Sequence, residues 1–62
     1  EVLGKSIICS KDIKEDELFS ENNVEIKTPA RGLSPQYYFK LLGKKALRNI
    51  KKSEYIQIND LE

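Results

Sequence analysis

Arg31 is the side chain whose type and setting point most directly to chemistry. It stands in the short loop Thr28-Pro29-Ala30-Arg31-Gly32, with no acid close by in sequence to pair with it. A guanidinium without a partner offers planar, paired donors to a carbonyl or hydroxyl. Thr28, Pro29 and Gly32 are expected to shape the loop around it. Pro29 pushes Thr28 toward an extended conformation, and Gly32 permits a positive φ. The plainer reading is a solvated arginine in a loop whose other three residues serve turn geometry alone.

The other reactive types suggest less. Lys44-Lys45 follow Gly43 and invite a phosphate, but the remaining glycines of a phosphate loop are missing. The pair also follows the C-terminal end of the expected helix, the wrong dipole end for an anion. Cys9 is the one cysteine and there is no His to activate it, so a buried, inert thiol is expected. The acids of Asp12–Glu17 read as a polar turn, without the further ligands of a metal site. Tyr37 and Tyr38 can stack on a sugar or a base, although their spacing with Leu41 and Leu42 is that of a helix stripe facing a core.

These candidates are held by a sequence that repeats itself. With an offset of 37, residues 9–25 fall on residues 46–62 with five identities in seventeen positions. Ile13 meets Ile50, Lys14 meets Lys51, Glu17 meets Glu54, Asn22 meets Asn59 and Glu25 meets Glu62. The substitutions are mild, among them Cys9 with Ala46, Lys11 with Arg48, Phe19 with Ile56 and Asn23 with Asp60. Two copies exclude a solenoid. They imply one domain with a pseudo-two-fold axis, joined by the unlike segment Ile26–Lys45.

Within each copy the elements are short. Ile7-Ile8 marks a strand over Ser6–Ser10, and Val24–Lys27 alternates like a half-buried strand. Glu21-Asn22-Asn23 is turn chemistry, because Asn bonds its own backbone. Ser34-Pro35 starts a helix of about two turns near 35–42, with Gly43 just past its end. The fold class is therefore mainly β, made of short strands, turns and one short helix. The expected core is Ile8, Ile13, Phe19, Val24, Leu41, Leu42, Leu47, Ile50, Ile56 and Leu61.

Sixty-two residues allow one domain, and the absence of Met together with the Glu1 start suggests a part of a larger protein. No apolar run approaches a membrane span, no secretory leader is expected, and one free cysteine fits the cytoplasm. The net charge of +1 hides six acids between Asp12 and Glu25 and six bases between Lys40 and Lys52. That asymmetry reads as a solvated surface, and near-neutral overall charge disfavours nucleic acid.

Taken in order, several strings resemble one family. They are Ser6–Lys14, Glu25-Ile26-Lys27-Thr28-Pro29, Gly32-Leu33-Ser34-Pro35, Leu42-Gly43-Lys44-Lys45-Ala46 and Arg48-Asn49-Ile50-Lys51-Lys52. Together they resemble the C-terminal antifreeze-like, or SAF, domain of the sialic acid synthases, from about Gly4 to Glu62. The resemblance implies a β-clip fold with internal two-fold symmetry over residues 6–62, with residues 1–5 a linker from a missing domain. It implies a parent enzyme that condenses phosphoenolpyruvate with an N-acylated mannosamine-type sugar. A divalent metal, Mn or Mg, would sit in that enzyme's (β/α)₈ barrel, with no cofactor in this domain. The partners implied are the barrel of the other subunit in a swapped homodimer, whose mouth the domain covers, and the amino-sugar. The isolated domain is expected to be a monomer, without nucleic-acid or membrane partners.

Bacterial members of that family carry an Arg just before the loop Pro, which reaches the sugar in the neighbouring active site. This sequence has Thr28 there, so Arg31, three residues on, is expected to supply the guanidinium. Asp16, Leu18, Ser20, Glu21 and Asn22 would spoil the flat, uncharged surface of ice-binding relatives. The alternative parent for such a domain is a sugar-acid dehydratase or a pilus or flagellar assembly protein.

Overall fold

The structure is a computed structural model that describes residues 4–62. Most of the expected linker, residues 1–3, lies outside the described residues. Strand β1 (Ser6–Cys9) pairs antiparallel with β2 (Val24–Lys27), from Ser6↔Lys27 to Cys9↔Val24. All four residues of β1 are buried. The reason is that β1 is paired on both edges. Opposite β2, the Cys9 N–H donates to Glu54 O at 3.0 Å and the Ile56 N–H donates to Ile7 O at 3.1 Å.

The rest of the backbone pairing follows the sequence repeat. Ile13 and Ile50, equivalent in the two copies, exchange both hydrogen bonds at 2.7 and 2.8 Å and so lie at the pseudo-two-fold axis. The bond from Cys9 N–H to Glu54 O recurs as Ala46 N–H to Glu17 O, and Ser10 N–H to Asn23 O recurs as Leu47 N–H to Asp60 O. Even the positive φ angles match, 72° at Asp16 and 73° at Ser53, which are 53 − 16 = 37 residues apart. Because each copy's turn is bonded to the other copy's strand, neither half is a complete unit alone.

The core holds Ile7, Cys9, Ile13, Phe19, Val24, Leu33, Leu41, Ala46, Ile50 and Ile56, with Leu42 and Leu61 packed against it. Of the expected core residues, Leu47 is the exception, at 51% exposed. Its neighbour Ala46 takes the inward slot, and alternation along an extended segment turns the next side chain outward. Its counterpart in the first copy is Ser10, a residue suited to that position. Ile7 and Leu33 join the core because both faces of β1 are covered and the Leu33 N–H is bound to Ile56 O at 2.7 Å.

The expected helix near 35–42 is shorter and begins differently. Pro35–Tyr37 is a 3₁₀ turn whose N-cap, Ser34, accepts the Gln36 N–H at 3.4 Å. Only Tyr38–Leu41 (α1) is α-helical, and Leu42 is already extended. A 3₁₀ turn tightens the entry to a helix too short to sustain itself. Gly43 follows with φ +88°, the left-handed stop the sequence requires. A second 3₁₀ turn, Ile58–Asp60, closes the chain. No helix among the described residues is long and apolar enough to cross a membrane.

Candidate functional site

The loop 28–33 connects β2 to the helical turn. The Thr28–Pro29 peptide bond is cis. Thr28 and Arg31 are exposed, Pro29 and Gly32 half-buried, and Leu33 buried. The four sequence candidates, Thr28, Pro29, Arg31 and Gly32, therefore share one surface loop, and the described residues enclose no pocket.

The loop's main chain is held at several points. Buried Ser6 donates its hydroxyl to Pro29 O at 2.8 Å and accepts the Arg31 N–H at 3.3 Å. The same Arg31 N–H reaches Pro29 O at 3.0 Å. The Gln57 side-chain amide donates to Arg31 O at 3.2 Å. Beyond it, the Ile7 N–H donates to Leu33 O at 3.0 Å. Among the described residues the Arg31 guanidinium makes no hydrogen bond or ion pair, unlike that of Arg48.

Gly32 serves a purpose other than the positive φ expected of it. Among the described glycines the only positive φ is at Gly43. A Cβ at position 32 would instead stand 2.7 Å from Ile56 O and 3.0 Å from the Tyr55 Cβ. Glycine is needed there so that the loop can lie against the backbone of the second copy.

The remaining candidates resolve into structural parts. Burial, and next the Glu54 and Asp60 carboxylates, push the Cys9 thiol up to about 12, so it stays protonated and unreactive at neutral pH. The Lys44 N–H closes the helix end on Leu41 O at 3.0 Å, and both lysine side chains are solvated. Asp12 accepts the Lys52 N–H at 2.8 Å and Glu17 accepts the Lys14 N–H at 2.9 Å, so these acids cap turns. Tyr37 and Tyr38 are half-buried against the core. Lys40 Nζ stands 5.6 Å from the Tyr37 ring centre.

Two features were not singled out from the sequence. One is the Ser6 bolt on the loop. The other is an ion cluster in which Arg48 Nε binds Asp60 at 2.7 Å and Arg48 Nη2 binds Glu54 at 2.7 Å. The repeat carried a signal for the cluster, because Lys11 and Asn23 of the first copy become Arg48 and Asp60 in the second. The Ser6 bond spans 25 residues to Arg31 and had no local signature.

Residues 4–62 match the SAF domain. The chain is 44% identical over 61 residues to a pseudaminic acid synthase of Campylobacter jejuni, covering 98% of this chain and 18% of that protein. It is 45% identical over 56 residues to the N,N'-diacetyllegionaminic acid synthase of the same organism, covering 90% of this chain and 17% of that protein. A pseudaminic acid synthase of Helicobacter pylori is 34% identical over 59 residues, covering 95% of this chain and 17% of that protein. The chain thus spans less than a fifth of the length of these relatives. Among solved structures, its fold matches the antifreeze-protein-like domain of human N-acetylneuraminic acid phosphate synthase. The TM-score is 0.87 at 22% identity, over 92% of this chain and 73% of that one.

Proposed function

We propose that this chain, which belongs to the SAF domain family, is the non-catalytic domain of a synthase making a pseudaminic- or legionaminic-type sugar acid. In this reading the parent enzyme condenses phosphoenolpyruvate with an N-acylated amino-sugar in a barrel domain, where the divalent metal also resides. The SAF domain covers the barrel mouth of the partner subunit, excludes water and offers Arg31 to the sugar. Covering a site in this way strengthens the electrostatic interactions inside it. By itself the domain is a monomer, and the buried free thiol of Cys9 supports a cytoplasmic parent.

One observation carries the assignment of Arg31. Its main chain is fixed on both sides of the Cα while its guanidinium is left exposed and unpaired among the described residues. An arginine kept for surface solvation has no need of a bolted backbone. Thr28, Pro29 and Gly32 support the loop, and Gly32 does so through its contact with Ile56.

The experiment is steady-state kinetics on the full-length parent, using phosphoenolpyruvate with N-acetylmannosamine and with its diacetamido relatives. Deleting residues 1–62 is expected to abolish condensation while the barrel still folds. Arg31→Ala is expected to raise KM for the amino-sugar about tenfold, the loss of one charge-assisted hydrogen bond, with KM for phosphoenolpyruvate unchanged. Full activity after deletion would reduce the domain to a stability or dimerisation element. No activity on any such sugar would move the domain to another kind of parent.

A further inference from the structure

We infer that Ser6, assisted by Gln57, is a positioning residue that sets where Arg31 can reach; the inference rests on the reading of Arg31 as a sugar contact. Ser6 is fully buried at the start of β1, and its hydroxyl is spent on the loop twice, as donor to Pro29 O and as acceptor from Arg31 N–H. Gln57 takes hold of the other side of Arg31 by donating to its carbonyl. Gln57 is itself fixed, because its own N–H donates to Asp60 Oδ2 at 2.9 Å. Both peptide groups flanking the Arg31 Cα are thereby tied to parts of the fold distant in sequence.

The repeat covers residues 9–25 and 46–62, so Ser6 and the loop it holds lie outside it. The backbone bonds that the two copies share, Cys9 to Glu54 with Ala46 to Glu17 and Ser10 to Asn23 with Leu47 to Asp60, do not involve this hydroxyl. Among the described residues Ser6 is the one buried serine, and its hydroxyl serves the loop. A guanidinium on a fixed main chain loses less freedom on binding and meets its acceptor in a narrower set of orientations.

The test is a double-mutant cycle in the full-length parent, read as KM and kcat for each substrate. Ser6→Ala is expected to raise KM for the amino-sugar about fivefold, as expected for losing one neutral hydrogen bond. KM for phosphoenolpyruvate should stay unchanged. In the Arg31→Ala background the same change is expected to add nothing, because its effect passes through Arg31. If Ser6→Ala does not fold, Gln57→Ala enters the same cycle, with an expected rise of about twofold, since its bond is exposed. Should either variant leave KM unchanged, or raise it equally in both backgrounds, the positioning role is overturned and the reading of Arg31 stands. Should Arg31→Ala alone leave KM unchanged, the reading of Arg31 falls and the positioning role with it.

Discussion

The two halves of this domain perform the same backbone task with different side chains. In the first copy, Asn23 caps its own turn. Its carbonyl oxygen accepts the Ser20 N–H at 2.8 Å and its amide donates to Leu18 O at 3.1 Å. In the second copy Asp60 accepts the equivalent Gln57 N–H at 2.9 Å but has no amide to donate. Arg48 donates instead to the Asp60 carboxylate itself and also gathers Glu54. A neutral residue that satisfies itself has thus been exchanged for a buried carboxylate that depends on a neighbour. The geometry of the turn is common to both, so the cap oxygen is what the fold requires, and the charge is a local solution to burying it.

Removing that oxygen should produce the largest effect. Asp60→Ala leaves the Gln57 N–H without its acceptor and frees Arg48 from its buried partner. It is expected to cost about 3 kcal/mol, at the lower end for breaking a buried pair because Arg48 is partly solvated. Asp60→Asn restores the first copy's chemistry and should cost about 1 kcal/mol. Urea unfolding of residues 1–62 distinguishes them. Equal losses would mean that the second half needs the charge itself.

A second difference lies in the core, where Cys9 faces its counterpart Ala46. Burial chiefly raises the Cys9 pKa from its ordinary range to about 12. A raised folded pKa means that the stabilisation is complete below the unfolded value and is lost as pH rises toward the folded one. Stability should therefore fall above pH 9 by about 1.4 kcal/mol per unit, or about 2 kcal/mol by pH 10.5. Cys9→Ala makes the halves alike at this position. It should cost about 1 kcal/mol at pH 7 through the lost sulfur packing and should flatten that alkaline slope. An unchanged slope in the variant would assign the alkaline loss to other groups.

Gly32 and Gly43 sharpen the contrast from the backbone side. Gly32→Ala drives a Cβ to 2.7 Å from Ile56 O, a main-chain atom that has little room to yield. About 2 kcal/mol is expected from such overpacking. Gly43→Ala meets nothing in space but must hold φ +88°, and about 1 kcal/mol is expected. Thermal unfolding of the two variants gives the order, and a larger loss at Gly43 would mean that the loop can lift off Ile56.

What the sequence made legible was whatever recurs or is local. The offset of 37 led directly to the Ile13–Ile50 axis, because each match was a backbone position used twice. Ser34-Pro35 and Gly43 marked the ends of the helical segment, because caps are chosen by dihedral angles that few residues tolerate. The failures have the opposite character. Leu47 belongs to an apolar type in an outward slot, and only the serine in the other copy gave warning. Gly32 suggests a torsional role in sequence, but its cause is a contact with residue 56, which no local pattern contains. Ser6 does begin the strand that the sequence predicts, but the partners of its hydroxyl lie 23 and 25 residues away, beyond any local pattern.

Glu54 provides the finest test of the comparison, since its counterpart Glu17 caps the equivalent turn without an arginine. Glu54 accepts the Lys51 N–H at 3.0 Å as Glu17 accepts the Lys14 N–H at 2.9 Å. Only Glu54 is also bound by Arg48, and chiefly for that reason its pKa is lowered. A lowered folded pKa means that the stabilisation is present above the unfolded carboxylate value and is lost as pH falls through the folded one. The loss should begin below about pH 4.3. The side chain is 40% exposed, so solvent screening holds the contribution below about 1 kcal/mol. Glu54→Gln should keep the turn bond, lose the ion pair and shift the acid transition slightly. An unmoved transition would mean that the arginine adds nothing to Glu54 and that its place in the fold is at Asp60 alone.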